Sequence, residues 1–287
     1  MRPEDFEEVA ALVKKRSGLT LSKDKVYLVE SRLAPLARRH GLTGVEDIVK
    51  QMRNHPREGL LAEITEAMTT NETFFFRDKT PFDLFTDDIV PQMATARSAR
   101  KQLRIWCAAS STGQEPYSLA MLLKERAAQF AGWRIEIVGT DIASEIVERA
   151  KRGVYTQFEV QRGLPIQLLV KYFKKVDDHW ELDPAIKSMV QYKIFNLLDD
   201  YRMLGQFDVV FCRNVLIYFD ALTKKDVLER IAQQMAPDGV LMLGAAETVI
   251  GITEAFKLVE GKRGLYSRGN VTAPAATSHG LARAAGA

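Results

Sequence analysis

Residues 103–119 read LRIWCAASSTGQEPYSL. A mostly apolar run at 103–107 leads through the small residues at 108–113 into a segment with helical character. Open α/β sheets present backbone N–H groups to a ligand through this succession of strand, tight loop and helix. Pro116 fits the first helical position, where its missing N–H leaves nothing unpaired. Glu115 precedes it and is expected to point a carboxylate at the ligand.

The next predicted strand, residues 133–141 (WRIEIVGTD), ends in an acid, and residues 142–150 have a helical pattern. An acid at the tip of the second strand is where Rossmann-type sites meet ribose hydroxyls. Alternatively, Asp141 only caps the helix that follows. The loop at residues 108–113 lacks G-x-G-x-x-G, and its alanines and serines fit a diphosphate poorly. We therefore expect S-adenosylmethionine rather than a dinucleotide.

Two later segments extend this pattern. Residues 190–199 (VQYKIFNLLD) predict a strand that runs into a polar turn. Residues 207–219 (FDVVFCRNVLIYF) form an almost continuous apolar run, as in strands buried on both faces. The run is interrupted by Arg213 and Asn214, at the strand end where such sheets bind ligands. Asn214 closing a turn is the plainer alternative.

Three segments together resemble the chemotaxis receptor methyltransferases, the CheR family. They are WCAASSTGQEPYS (106–118), TTNETFFFR (69–77) and FCRNVLIYF (211–219), and the resemblance extends over residues 5–268. It implies methyl transfer from S-adenosylmethionine to glutamate side chains of bacterial chemoreceptors, which yields γ-glutamyl methyl esters and S-adenosylhomocysteine. The cofactor contacts that the resemblance implies are Asn71, Thr73, Arg77, Glu115, Asp141, Asn196, Leu197, Arg213 and Asn214.

The expected fold class is α/β: a Rossmann-like class I methyltransferase sheet with a small antiparallel β insertion, preceded by an all-helical N-terminal domain. We assign residues 1–78 to the helical, receptor-docking domain and residues 79–269 to the methyltransferase domain. Residues 270–287, rich in Ala, Gly, Ser and Thr, are expected to be disordered. In the helical domain, Pro35 falls inside an apolar periodicity, which predicts a kink or a helix that restarts there.

The antiparallel insertion is expected at about residues 170–195. Residues 172–176 and 180–182 predict a short hairpin, and residues 189–194 are expected to join it. In the family, members that bind a pentapeptide at the receptor C-terminus add it to this sheet as an extra strand. They carry a longer, glycine-containing turn, whereas the turn at 175–179 (KVDDH) is short, acidic and lacks glycine. We therefore predict an enzyme that is independent of the pentapeptide.

The composition is that of an ordinary globular protein, with 287 residues, 46% hydrophobic and 27% charged, and a net charge of +3. No apolar run approaches the ~20 residues that span a bilayer, and the acidic N-terminus is unlike a signal peptide. Cys107 and Cys212 are expected to be buried core residues in a reducing compartment. We predict a cytoplasmic protein with no metal site and no direct membrane insertion.

The chemistry implied by the resemblance needs no general base. A glutamate, with a reference pKa of ~4.3, is already ionised at neutral pH. A strong ion pair would lower the nucleophilicity of the acceptor carboxylate. Arg77 is therefore assigned mainly to the carboxylate of the cofactor. Tyr218 is assigned a weaker hydrogen bond that orients the acceptor carboxylate. Alternatively, Tyr218 is only a packed aromatic side chain.

The helical domain carries a basic segment. Residues 14–39 contain eight basic and two acidic residues, a balance of +6. Lys25, Arg32 and Arg39 are spaced by seven, which places them on one stripe of a continuous helix. Together with Arg38 they are assigned to docking of the methylation helices of membrane chemoreceptors. The alternative is an ordinary solvated surface.

Two other functions fit the sequence less well. A sensor module that binds S-adenosylmethionine without catalysis is disfavoured because every cofactor position and Tyr218 are present. A nucleic-acid methyltransferase is disfavoured because the net charge is only +3 and no aromatic platform interleaves with the basic residues. We therefore expect no nucleic-acid partner.

Overall fold

The computed structural model describes residues 1–269. The N-terminal part is helical, and apolar positions on its helices meet in one core that includes Val9, Leu33, Ile48 and Ile64. Its helices are α1 (Pro3–Ser17), α2 (Val26–Arg39), α3 (Val45–Asn54) and α4 (Glu58–Ala67). The predicted tail at 270–287 lies outside the described residues.

Helix α2 continues through Pro35, so the helix does not restart there. Pro35 is exposed, which keeps its ring away from the core of the helical domain. The chain then enters a domain in which helices and strands alternate. Its helices are α5 (Thr80–Leu84), a π-helical turn (Phe85–Ile89), α6 (Val90–Ala96), α7 (Gln114–Glu125), α8 (Ser144–Arg152), α9 (Gln157–Gln161), α10 (Ile166–Tyr172), α11 (Pro184–Lys187) and α12 (Ala221–Gln233).

The strands of this domain form a seven-stranded sheet and a three-stranded sheet. They are β1 (Gln102–Ala108), β2 (Arg134–Asp141), β3 (Val154–Thr156), β4 (Phe173–Val176), β5 (His179–Leu182), β6 (Val190–Ile194), β7 (Phe207–Cys212), β8 (Met235–Leu243), β9 (Phe256–Leu258) and β10 (Leu265–Arg268). The large sheet has the order β6-β2-β1-β7-β8-β10-β9. Its first five strands are parallel, and β10 is antiparallel to both β8 and β9.

The two faces of the large sheet are covered by separate apolar layers. Cys107 packs in the layer that contains Phe211, and Cys212 packs in the layer that contains Trp106. Although β1 and β7 are neighbours, the register pairs Cys107 with Phe211, so the two thiols point to opposite faces. Both are free and buried, as predicted.

The small sheet corrects one expectation. The hairpin of β4 and β5 is present, with a two-residue turn in which Asp177 has φ +50°. Its third strand is β3, whereas residues 190–194 form β6, paired in parallel with β2 at the edge of the large sheet. The prediction that 189–194 join the antiparallel insertion was wrong. Short apolar runs carry no periodicity that tells a parallel edge strand from a hairpin strand.

The strand order reverses beside β1, where the chain crosses from β2 and β6 on one side to β7 and β8 on the other. A crevice forms at such a switch point, outside the carboxyl ends of the strands. The loops that follow β1, β2, β6 and β7 therefore meet there. Within residues 1–269, the helices lack the length and apolar content needed to cross a membrane.

Candidate active site

A pocket occupies this crevice, and residues of all four loops line it. Every cofactor residue expected from the sequence lines it: Asn71, Thr73, Arg77, Glu115, Asp141, Asn196, Leu197, Arg213 and Asn214. Tyr218 lines it as well.

The loop after β1 has an unusual backbone. Ala109 and Ser111 adopt φ values of +54° and +50°, and Gly113 has φ +95°. Only glycine enters this region freely, and a Cβ at Gly113 would lie 2.5 Å from the Tyr192 hydroxyl oxygen. Alternation of this kind turns successive N–H groups toward one concave side, which suits an approaching ligand.

Helix α7 starts at Gln114, so Pro116 is its third residue. The prediction that Pro116 is the first residue of the helix was wrong. The position remains in the first turn, where backbone N–H groups lack partners within the helix. The difference changes the register of the cap but not the direction of Glu115, which lines the pocket.

Asp141 ties two loops together inside the pocket. Its Oδ2 accepts from the Ser111 N–H at 2.9 Å, and its Oδ1 accepts from the Ala143 N–H at 3.1 Å. Burial raises the pKa of this carboxyl, and the backbone N–H bonds partly offset the rise. The N-cap of α8 is Ala143, so Asp141 is not merely the cap of that helix.

Glu115 and Arg213 form the central ion pair of the site, at 2.7 Å between Oε2 and Nη1. The Nη2 of Arg213 donates to Asp78 Oδ2 at 2.8 Å and to the Arg77 carbonyl at 2.9 Å. Burial raises the pKa of Glu115, and the nearby guanidinium works against that rise. The pair joins the helix after β1 to the loop after β7.

Arg77 sits on a strained turn. Phe76, Asp78 and Lys79 all have positive φ values, of +53°, +68° and +44°. Such conformations are costly for residues with a Cβ and cluster at ligand sites. The Nη1 of Arg77 donates to the Glu72 carbonyl at 2.8 Å, and no acidic side chain within residues 1–269 forms an ion pair with it. Its charge is therefore available to an anionic group.

The helical domain supplies part of the pocket wall, through Ser17 and Leu19. The side-chain amide of Asn196 is engaged with the backbone, since Nδ2 donates to the Arg16 carbonyl at 2.5 Å and Oδ1 accepts from the Leu198 N–H at 3.0 Å. Sequence reasoning missed Ser17 and Leu19, because only tertiary packing brings them to the pocket.

The backbone of Tyr218 is held by the helical domain. Its carbonyl accepts from the Thr20 N–H at 2.9 Å, and Leu19 bridges to Phe219. Tyr218 lines the pocket, and in the described part of the chain its hydroxyl has no hydrogen-bond partner, which leaves it available to a ligand.

The pocket fits S-adenosylmethionine. The Arg77 guanidinium, which forms no ion pair within residues 1–269, lines one pocket with the carboxylates of Glu115 and Asp141. These groups are complementary to an amino-acid carboxylate, an ammonium group and ribose hydroxyls. Arg77 would hold the cofactor carboxylate, Glu115 its ammonium group and Asp141 its ribose hydroxyls. When bound, the cofactor supplies an electrophilic methyl group on a sulfonium.

The predicted docking stripe looks different in the structure. Lys25 precedes the regular part of α2, and Arg39 pairs with Glu63 at 3.4 Å and with Glu145 at 3.3 Å. Arg32 is half-buried and donates to the Met68 carbonyl at 2.6 Å and to Thr70 Oγ1 at 2.9 Å. Thr70 lines the pocket, so Arg32 braces the segment between the domains.

Most of the remaining positive charge at 14–39 is compensated as well. Lys14, Arg16 and Lys23 pair with acidic side chains, as do Lys25 and Arg39. Lys15 and Arg38 are exposed and form no ion pair in the part of the chain that the structure describes.

The similarity to known proteins agrees with this geometry. The chain is 40% identical over 265 residues to chemotaxis protein methyltransferase Cher2 of Pseudomonas putida, covering 91% of this chain and 96% of that protein. It is 40% identical over 268 residues to chemotaxis protein methyltransferase 1 of Pseudomonas aeruginosa, covering 92% and 97%. The Escherichia coli chemotaxis protein methyltransferase is 33% identical over 257 residues, covering 88% and 87%.

Two family descriptions divide the chain. The all-alpha domain of CheR methyltransferases matches residues 4–69, and the SAM binding domain of CheR methyltransferases matches residues 71–265. The second match alone spans more than half of the 287 residues. Together with a pocket that gathers all the expected cofactor residues, it shows that the chain belongs to the CheR family of S-adenosylmethionine-dependent methyltransferases.

Proposed function

We propose that this protein transfers the methyl group of S-adenosylmethionine to glutamate side chains on the methylation helices of chemoreceptors. The observation that carries the proposal is the convergence of Glu115, Asp141, Arg77 and Tyr218 on one pocket. The first three match, in that order, the ammonium group, the ribose hydroxyls and the carboxylate of the cofactor. The fourth is free to contact an acceptor.

The residues around the pocket suit an acceptor that is already ionised. Methyl transfer to a carboxylate needs alignment and exclusion of water, and it needs no proton acceptor. The pocket lining within residues 1–269 contains no histidine or lysine, the usual bases for a hydroxyl or amine nucleophile. Its three carboxylates are already engaged: Glu72 by Arg162, Glu115 by Arg213, and Asp141 by backbone N–H groups. Tyr218 would orient the incoming glutamate through its hydroxyl.

Receptor docking is assigned to the helical domain, which lies beside the pocket through Ser17 and Leu19. Lys15 and Arg38 supply uncompensated positive charge there, whereas Lys25, Arg32 and Arg39 are engaged within the protein. Such charge steers an acidic methylation helix toward the site. The proposed location of the enzyme is the cytoplasm, where the methylation helices lie.

We further propose that the enzyme needs no receptor pentapeptide. The β4–β5 turn consists of Asp177 and Asp178, with Asp177 already in the left-handed region. A turn of two acidic residues repels the carboxylate at a receptor C-terminus and offers little backbone for an added strand.

The test is a transfer assay with tritiated S-adenosylmethionine. Receptor-rich membranes, nucleic acid and buffer alone serve as parallel acceptors. We expect label only in the membrane protein fraction. Label in nucleic acid would support the nucleic-acid methyltransferase, and cofactor binding without transfer to any acceptor would support the sensor module.

A further inference from the structure

Glu247 is a buried carboxylate that the proposed reaction does not use. It follows β8 in a turn closed by the bond from its own N–H to the Gly244 carbonyl, at 3.0 Å. Only 9% of its surface is exposed, and it forms no ion pair within the described residues. Its side chain does not line the pocket.

This carboxylate collects five backbone N–H groups. Its Oε2 accepts from Gly244 and Asn214, each at 2.8 Å. Its Oε1 accepts from Val215 at 2.9 Å, from Leu216 at 2.7 Å and, more weakly, from Ile217 at 3.3 Å. Charge-assisted bonds of this kind are stronger than neutral ones, and several of them compensate the burial of the charge.

Four of the five donors belong to one segment, residues 214–217, which we call the β7 loop. The loop turns sharply, because Asn214 has φ +60°. Its N–H groups point inward together, so they need a common acceptor, and an unpaired buried N–H is costly. Glu247 supplies that acceptor.

The β7 loop lies between residues that form the pocket. Arg213 precedes it, Asn214 and Val215 belong to it, and Tyr218 follows it. We propose that Glu247 is a positioning residue that fixes the β7 loop, and so sets both the cofactor wall and the place of Tyr218 without touching either substrate. The effect on catalysis rests on the proposed roles of Asn214 and Tyr218.

Gly244 provides a second way to disturb the same contact. A Cβ added there would lie 2.7 Å from Glu247 Oε2, 2.9 Å from Asn214 Nδ2 and 3.0 Å from the Asn214 nitrogen. Alanine at this position therefore pushes the carboxylate and the loop apart and leaves the charge of Glu247 unchanged.

The chain offers a control of the same type for each change. Asp208 is also buried and also accepts a backbone N–H, that of Arg104 at 2.8 Å, but it lies at the amino end of β7, where it also pairs with Arg97 at 2.7 Å. Gly239, within β8, is also crowded, with a Cβ that would lie 3.0 Å from the carbonyl oxygens of Ala236 and Asp208. Both controls disturb the sheet at the end away from the pocket.

The experiment compares Glu247→Gln and Gly244→Ala with Asp208→Asn and Gly239→Ala, at a temperature where each variant is folded by circular dichroism. Amide hydrogen exchange of the cofactor-free protein reads the β7 loop directly, and calorimetry measures the Kd for S-adenosylhomocysteine. The glutamine Nε2 faces N–H groups that need an acceptor. We therefore expect residues 214–217 to lose protection, with S-adenosylhomocysteine binding about tenfold weaker.

Turnover on receptor is expected to fall in the two test variants even at saturating cofactor, whereas the controls keep wild-type protection at 214–217, Kd and kcat. Wild-type protection or affinity in folded Glu247→Gln overturns the inference, and so does the same loss in both controls. If Glu247→Gln does not fold, Gly244→Ala decides. A wild-type enzyme that binds S-adenosylhomocysteine but methylates no receptor contradicts the proposed function. In that case the exchange protection of residues 214–217 still tests whether Glu247 fixes the β7 loop.

Discussion

Glu115 and Arg213 are joined at 2.7 Å inside the pocket, whereas Asp141 faces only backbone N–H groups. The two acids of the site therefore differ in what their removal leaves behind. Loss of Glu115 leaves the buried Arg213 guanidinium with Asp78 as its remaining acidic partner, and weakening a buried pair in this way is destabilising. Loss of Asp141 strands no charge, so Asp141 is the cleaner probe of cofactor binding.

We predict that Asp141→Ala weakens binding of S-adenosylmethionine at least tenfold. Loss of a charged hydrogen-bond acceptor costs about 1.5–3 kcal/mol, which corresponds to a factor of ten or more. Calorimetry with S-adenosylhomocysteine measures the change, and circular dichroism checks the fold. Unchanged affinity in a folded variant would remove Asp141 from the cofactor site.

Cofactor binding is also expected to weaken in acid. Burial raises the pKa of Asp141 above its ordinary 3.8, so the group takes up its proton at a higher pH than an exposed aspartate. The protonated form is a weaker acceptor for ribose hydroxyls, and affinity therefore falls as pH decreases through this raised pKa. Titrations of S-adenosylhomocysteine from neutral to acidic pH test this. Asp141→Asn should show a smaller pH dependence, the remainder arising from Glu115, whose pKa is raised as well. Equal pH dependence in the two proteins would refute the assignment.

Tyr218→Phe is expected to lower kcat and to leave the Kd for cofactor close to that of the wild type. The hydroxyl is assigned to the acceptor glutamate, and the ring itself stays in the pocket wall. Steady-state methylation of receptor together with calorimetry separates the two effects. Wild-type turnover in this variant would reduce Tyr218 to packing.

Docking is best tested at Arg38, which is exposed and has no ion pair among the described residues. Arg38→Glu should raise the KM for receptor, and the difference from wild type should shrink at high salt, which screens surface charges. Arg57→Glu, an equal change at an exposed site before α4, serves as the control. If both variants behave alike, Arg38 is ordinary solvated surface.

Arg32→Glu should behave differently from Arg38→Glu. It removes the bonds to Met68 and Thr70, so it should also weaken cofactor binding.

A peptide titration tests independence of the receptor C-terminus. We expect no calorimetric signal with a receptor C-terminal pentapeptide, because the β4–β5 turn has two acidic residues and no glycine. Receptors that lack the pentapeptide should be methylated as fast as complete ones. Micromolar binding of the peptide would contradict this.

Part of the site could be predicted because Glu115, Asp141 and the Arg213–Asn214 pair come after strongly apolar strands, and parallel strands bring their carboxyl ends to one edge. The other cofactor residues were expected only from the resemblance to the CheR family. The contribution of Ser17 and Leu19 could not be predicted, since no local pattern tells which helix end covers a distant pocket. The role of Arg32 was missed for the same reason. A charge pattern does not reveal a carbonyl that lies 36 residues away along the chain.

Glu247 illustrates a further limit. In the sequence it is one acid in a turn after a strand. No sequence pattern around it indicates that its side chain is buried and not exposed to solvent. Its five donors come together only once β7 and β8 are paired.

The most direct test of the central claim is to identify the atom that receives the methyl group. The protein is incubated with S-adenosylmethionine and receptor-rich membranes, and tryptic peptides of the receptor are analysed by mass spectrometry before and after mild alkaline treatment. Our account predicts methylated peptides in which the added group lies on glutamate and is released by base as methanol. Base-stable methylation on lysine or arginine, or methylation found only in nucleic acid, would contradict it.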